Sequence, residues 1–185
     1  MSPQLAVRLN AVGLYAICAV LLEAFFYQFA LGELPCPLCL LQRVAFCALA
    51  VGPILTVCHG PRPAHYALAI VAALVGAFIA ARQVLLHIEP GDVGFGSAVL
   101  GYHLYTWAFI CFVAAIAACA GVLLFEGQFD LRAARPHTGV FERAAVWLVV
   151  AITIVNAGDA LLECGFTWCP PDPADYRLLH PEGKP

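Results

Sequence analysis

The chain has 185 residues, 63% of them hydrophobic and 11% charged, with a mean hydropathy of +0.88. A soluble domain carries roughly 45–50% apolar and about 25% charged residues, so the excess here is too large for one small core and its natural solvent is lipid. The net charge of -3 excludes a basic surface for nucleic acid.

A membrane helix needs about 20 mainly apolar residues. Five stretches predict one: 10–31, 40–58, 66–86, 105–125 and 144–162. The first could pass for a secretory signal. It is long, lacks a small-residue cleavage site and is followed by further spans, so it reads as a retained helix. Breakers separate the runs. Gly32-Glu33-Leu34-Pro35 ends the first, His59-Gly60-Pro61-Arg62-Pro63 parts the second from the third, and Glu89-Pro90-Gly91-Asp92 opens a glycine-rich loop. Residues 126–143 are the longest polar stretch, and Pro170-Pro171 stops any helix after the fifth run. The expected fold is an all-α integral membrane protein, a four-helix transmembrane bundle plus a fifth C-terminal transmembrane helix. It forms one multi-spanning domain over 1–185 with an outer tail, 163–185.

Lysine and arginine in short loops set orientation. Arg8, Arg62, Arg132, Arg135 and Arg143 fall on one side, which reads as cytoplasmic. The opposite loops and tail carry Glu33, Glu89, Asp92, Asp172 and Asp175 against Arg177 and Lys184. A bacterial inner membrane with the N-terminus inside is the setting this implies, with the outward loops in an oxidising periplasm where disulfides persist.

The nine cysteines divide into two classes. Cys18, Cys47, Cys58, Cys111 and Cys119 lie in or at the ends of apolar runs and read as small buried apolar residues. The other four form close pairs on the outer side, Cys36/Cys39 and Cys164/Cys169. In Pro35-Cys36-Pro37-Leu38-Cys39-Leu40-Leu41-Gln42-Arg43, two sulfurs at this spacing can close a small disulfide ring or open to a dithiol. A second span starting near Cys39 would put its sulfur at a helix N-terminus, where unpaired N–H groups and the helix dipole favour a thiolate. Arg43, one turn on, shares that face and adds a permanent positive charge that can also meet a quinone carbonyl. A zinc half-site lacks a second Cys/His pair nearby, so no metal site is expected. Attachment of c-type haem needs His where Leu40 stands. A plain structural disulfide is the alternative that remains.

This stretch resembles the disulfide bond formation protein B (DsbB) family. The likeness covers the first four spans, the outer loop with its CxxC, and the arginine four residues after the second cysteine. Ala81-Arg82-Gln83-Val84-Leu85-Leu86-His87 also resembles the family's approach to its second outer loop. The resemblance implies a membrane thiol:quinone oxidoreductase that reoxidises a periplasmic thioredoxin-fold thiol oxidase of the DsbA type. Electrons would pass to ubiquinone or menaquinone. Cys36 and Cys39 would be the quinone-proximal pair, with Arg43 a quinone contact and His87 a second candidate. Familiar members carry a second cysteine pair in the loop between spans three and four. Here that loop, 88–103, has none. Cys164 and Cys169, in a tail the family pattern does not include, are the expected replacement: a redox-active pair brought together where Gly165 breaks the fifth helix. The other possibility for them is a static clip.

Other polar residues in the spans have simpler readings. Glu23 is either a proton relay or a bundle hydrogen bond. Gln28 reads as a helix-to-helix hydrogen bond, Arg82 as a snorkelling side chain, and Asp159 as hydrated near the outer end. Competing readings of the whole chain are an enzyme like vitamin K epoxide reductase, a relay running electrons in the reverse direction, and a membrane scaffold with structural disulfides.

Overall fold

The computed structural model describes residues 1–130, 137–171 and 173–179; Arg132, Arg135, Asp172 and Lys184 lie outside them. Helix α1 spans Pro3–Leu31. The Ser2 side chain accepts the Leu5 amide at 3.3 Å, and Pro3 stands in the first turn, where its missing N–H is no loss. The helix therefore starts ahead of the expected span at 10, because the cap and proline set its start upstream of Arg8 and Asn10, the polar residues at which the apolar run was taken to begin. Gly32, at φ 72, closes it in a left-handed conformation that suits glycine. Helix α2 spans Pro37–His59 and α3 Pro63–Leu86, each again with proline in its first turn. A two-residue hairpin pairs β1, Ala98–Val99, with β2, Tyr102–His103, directly before α4, Leu104–Leu123. A short 3-10 turn, Glu126–Phe129, follows, and α5 runs Val140–Cys164.

Helices α1 and α5 run side by side in the same direction. Near their starts Gln4 Nε2 donates to the His137 carbonyl at 2.9 Å, and near their ends Gln28 Nε2 donates to Asp159 Oδ1 at 2.7 Å. Asn10 of α1 donates to the Tyr66 hydroxyl of α3 at 3.0 Å, so the α2–α3 connection lies at the α1 start. Arg8, Arg62 and Arg143 thus share one end of the bundle, and both cysteine pairs lie at the other.

Helix α2 packs broadly on α3, and α3 on α4. Two glycines permit this closeness. A Cβ on Gly52 would run into the His65 carbonyl and Ala69 of α3, and one on Gly76 would run into the Phe112 ring of α4. Phe112 is fully buried and stacks on Phe46 of α2 with ring centroids 4.0 Å apart. Helix α5 lies against α1 and α2, burying Val149 and Ile152. Large apolar side chains such as Phe26, Phe78, Trp147 and Ile154 point outward from the bundle. Helices apolar all round are those that meet lipid rather than water. Five helices are long and apolar enough to cross a membrane, and the architecture is the expected all-α one, with a fifth C-terminal helix added to a four-helix bundle.

The isolated cysteines depart from expectation in part. Cys18 is buried, Cys47, Cys111 and Cys119 are half-buried, and Cys58 is exposed. Cys58 sits in the last turn of α2.

Candidate functional site

Cys36 and Cys39 form a disulfide, with Cα atoms 5.0 Å apart. The helix start that aims them differs from the sequence expectation. Cys36, not Cys39, is the N-cap of α2, in extended backbone, and its Sγ accepts the Cys39 amide at 3.1 Å. The reason is Pro37, whose fixed φ suits the first helical position and draws the helix start upstream. Helix α3 completes the surroundings. The buried Gln83 side chain directs Nε2 at both sulfurs, 3.2 Å from Cys36 Sγ and 3.5 Å from Cys39 Sγ. Gln42 Nε2 holds the other end of that amide, donating to Gln83 Oε1 at 2.7 Å.

Cys39 forms part of the wall of a cavity of about 330 Å³. Helix α1 contributes Val20, Leu21 and Ala24, α2 contributes Gln42 and Phe46, and α4 contributes Leu104, Tyr105 and Ala108. Glu23, exposed on α1, also lines it. The roof is the glycine-rich loop with Phe95, Gly96 and Val99. That loop is tied down twice. Glu33 accepts from the Ser97 amide at 3.0 Å and from the Ser97 hydroxyl, and Trp107 Nε1 donates to the Val99 carbonyl at 3.0 Å.

Arg43 also lines this cavity, but most of its guanidinium is turned toward α1 and α5. Nη1 donates to Gln28 Oε1 at 2.6 Å and to Asp159 Oδ2 at 3.3 Å, and Nη2 donates to the Ala24 carbonyl at 3.1 Å. Its face lies over the Phe25 ring, 5.1 Å from the centroid. Three of the five N–H groups are thus engaged, which leaves Nε–H and one Nη2–H. Asp159 was expected to be hydrated. It is 5% exposed and forms an ion pair with Arg43, because the C-terminal tail folds over it. Tyr176 of that tail accepts from Gln28 Nε2 at 2.9 Å. Burial pushes the Tyr176 phenol up, while the hydrogen bond from Gln28 pulls it the other way. Glu163, one turn beyond Asp159, is buried, and neither carboxylate oxygen has a hydrogen-bond partner among the described residues.

His87 is the C-cap of α3 and stands outside this wall. Its Nδ1 is 3.2 Å from Asp92, and its ring stacks on Tyr105, which does line the cavity. The Gly94 amide and then His87 hold the Asp92 carboxyl below the usual carboxylate range.

Cys164 and Cys169 form a second disulfide, with Cα atoms 4.5 Å apart. Gly165, at φ 65, ends α5 between them, the helix break that the sequence led us to expect. Cys164 is buried, whereas Phe166 and Trp168 within the loop are almost fully exposed. The tail returns over the helix end through backbone bonds from Arg177 to the Glu163 carbonyl and from Leu178 to the Leu162 carbonyl. Arg177 Nη1 also donates to Thr167 Oγ1 at 3.1 Å and to the Trp168 carbonyl at 2.9 Å.

The sequence reading passed over Gln42 and Gln83 and gave Asp159 no partner. The available signal was their polarity inside apolar runs. A buried amide or carboxylate is costly unless bonded, so each of them required a partner close by.

Residues 7–95 match the family model described as Disulfide bond formation protein DsbB. Proteins named Disulfide bond formation protein B are similar to part of the chain. The one from Xanthomonas axonopodis pv. citri (strain 306) is 45% identical over 87 residues, covering 44% of this chain and 51% of that protein. Those from Aromatoleum aromaticum (strain DSM 19018 / LMG 30748 / EbN1) and Azoarcus sp. (strain BH72) are 39% and 36% identical, each covering 44% of this chain and 52% of the relative. The chain spans about half the length of the curated relatives it matches. No solved structure matches it. The matched segment holds most of α1, all of α2 and α3, and the first part of the loop; α4 and α5 lie beyond it. Five spanning helices together with this family likeness make the chain a multi-pass membrane protein.

Proposed function

We propose that this chain, of the DsbB family in its residues 7–95, is a thiol:quinone oxidoreductase that generates disulfides. Electrons enter from a DsbA-type thiol oxidase and leave through Cys36 and Cys39 to ubiquinone or menaquinone. One observation carries the reading. Cys39 of the CxxC and Arg43 line one cavity whose lining is largely apolar.

The cavity suits a quinone ring. At about 330 Å³ it falls at the small end of the roughly 300–1,000 Å³ usual for ligand pockets. Phe46, Leu21 and Ala108 offer apolar contact, and Arg43 keeps two N–H groups for a carbonyl oxygen. A bound quinone would supply an acceptor for two electrons and two protons. The residues do the rest. Helix α2 presents Cys39 to the cavity, Gln83 holds both sulfurs, and the loop with Phe95, Gly96 and Val99 covers one side. His87, by its stacking on Tyr105, would act on the ring only through that neighbour.

For Cys164 and Cys169 the reading is a second redox pair. It lies at the same end of the bundle as Cys36 and Cys39 and would take electrons from the soluble partner through a mixed disulfide. A static clip is the second reading, favoured by the Arg177 hydrogen bonds that pin this loop to the end of α5. The arginine-rich end, with Arg8, Arg62 and Arg143, would face the cytoplasm of a bacterial inner membrane and the cysteine end the periplasm.

The test is quinone reduction by the purified protein with a reduced DsbA-type donor. Cys36→Ser and Cys39→Ser should each abolish it, and near-normal turnover in either would overturn the reading. Cys164→Ser/Cys169→Ser should lose turnover with the protein donor and keep it with a small dithiol. Full turnover with the protein donor would leave the second pair as a clip.

A further inference from the structure

Gln83 is 1% exposed in a largely apolar helix. An amide there is costly unless both its ends are bonded. Its carbonyl end is bonded by Gln42, at 2.7 Å. That contact engages the oxygen end of the Gln83 amide. The NH2 end is aimed at the disulfide, with one N–H available to each sulfur, at 3.2 and 3.5 Å. A disulfide sulfur is a weak acceptor and gives little return for such an arrangement. A thiolate is a strong one, because a charged acceptor roughly doubles the strength of a hydrogen bond.

We propose that Gln83 is a catalytic residue: its amide, aimed by Gln42, receives the thiolate that forms when the Cys36–Cys39 disulfide opens. The step balances. An incoming thiolate bonds to one sulfur, the S–S bond breaks, and the electron pair stays on the other sulfur as the leaving thiolate. The incoming thiol is oxidised to a mixed disulfide and the leaving cysteine is reduced. Gln83 Nε2 reaches both sulfurs, so it serves whichever of them leaves. Cys36 Sγ has a further donor in the Cys39 amide, whereas Cys39 Sγ, on the cavity side, has Gln83 as its nitrogen donor among the described residues. Gln42 lines the cavity as well, so the amide pair links the cavity wall to the sulfurs. This role rests on the thiol:quinone reading but is measured without quinone.

The experiment uses the full-length protein in detergent, reduced with a phosphine. The thiolate absorbance near 240 nm is followed against pH and read as the difference from Cys36→Ser/Cys39→Ser, which cancels the other cysteines. Gln83→Met keeps the length and removes the donor. It should raise the thiolate titration by about one pH unit, the tenfold effect of losing one charge-assisted hydrogen bond. The equilibrium constant with glutathione should fall tenfold toward the oxidised form, which is about 30 mV for a two-electron couple. Gln42→Met leaves Gln83 in place but free to turn, and should shift both readouts the same way by a smaller amount. A bond that only braces α2 against α3 predicts lower thermal stability with titration and potential unmoved, and that result overturns the proposal. A wild-type pair that opens to phosphine but not to dithiols would instead overturn the functional reading, and the titration would still decide the role of Gln83.

Discussion

Removing Asp159 should destabilise the bundle more than any surface change. The Arg43 and Asp159 side chains are 7% and 4% exposed, and their charged atoms are 3.3 Å apart. An exposed pair of this kind contributes about 0–1 kcal/mol. Breaking a buried one costs about 3–5 kcal/mol, because the remaining charge is left desolvated. Arg43 would keep Gln28 Oε1 and the Ala24 carbonyl, and it borders the cavity, so the low end, about 3 kcal/mol, is expected for Asp159→Ala. That is more than a hundredfold in the unfolding equilibrium. Arg43→Met/Asp159→Leu removes both charges and should lie close to wild type, since apolar replacement of a whole buried pair is often neutral. Unfolding in mixed detergent, run as a double-mutant cycle, gives the coupling directly. A loss below about 1 kcal/mol in Asp159→Ala, the range of an exposed pair, would refute the reasoning. So would a double variant as unstable as the single one.

The other expectations concern the cavity, its roof and the orientation. Arg43→Ala should raise the quinone Michaelis constant about tenfold or more, from the loss of a charged hydrogen bond of roughly 1.5–3 kcal/mol. Arg43→Lys, which keeps charge but loses the planar fork, should also be impaired; unchanged quinone kinetics in both would remove Arg43 from the site. Glu33→Ala should free the Ser97 amide, with hydrogen-exchange protection at that position falling about tenfold, whereas unaltered protection would mean the roof is held by Trp107 alone. A C-terminal alkaline phosphatase fusion should be active and a fluorescent-protein fusion dark. The reverse pattern would place Cys164 and Cys169 in a reducing compartment and end their part in the mechanism.

The five helices were legible because runs of about 20 apolar residues have few other uses. Their ends were less so. Pro3 and Pro37 start helices ahead of the apolar runs, and hydropathy does not register a polar or proline-led first turn. This moved the cap of α2 from Cys39 to Cys36 and changed which sulfur accepts the helix amide. The closure of Cys164 on Cys169 followed from Gly165 between them, a local feature that spacing alone can suggest. Partners distant in sequence could not be read in this way. Arg43 and Asp159 are 116 residues apart, and Gln42 and Gln83 are 41 apart. Each looked like an isolated polar residue in an apolar run. The requirement that buried polar groups be bonded says a partner exists without saying which one. The choice is made by helix packing. The parallel course of α5 along α1 sets Asp159 beside Gln28 and Arg43, and the close α2–α3 contact permitted by Gly52 belongs to the interface that sets Gln83 beside the disulfide. Helix α5 lies beyond the segment that matches the family, yet it supplies the counter-charge to an arginine within that segment. The added helix is therefore joined electrostatically to the cavity wall rather than appended to it.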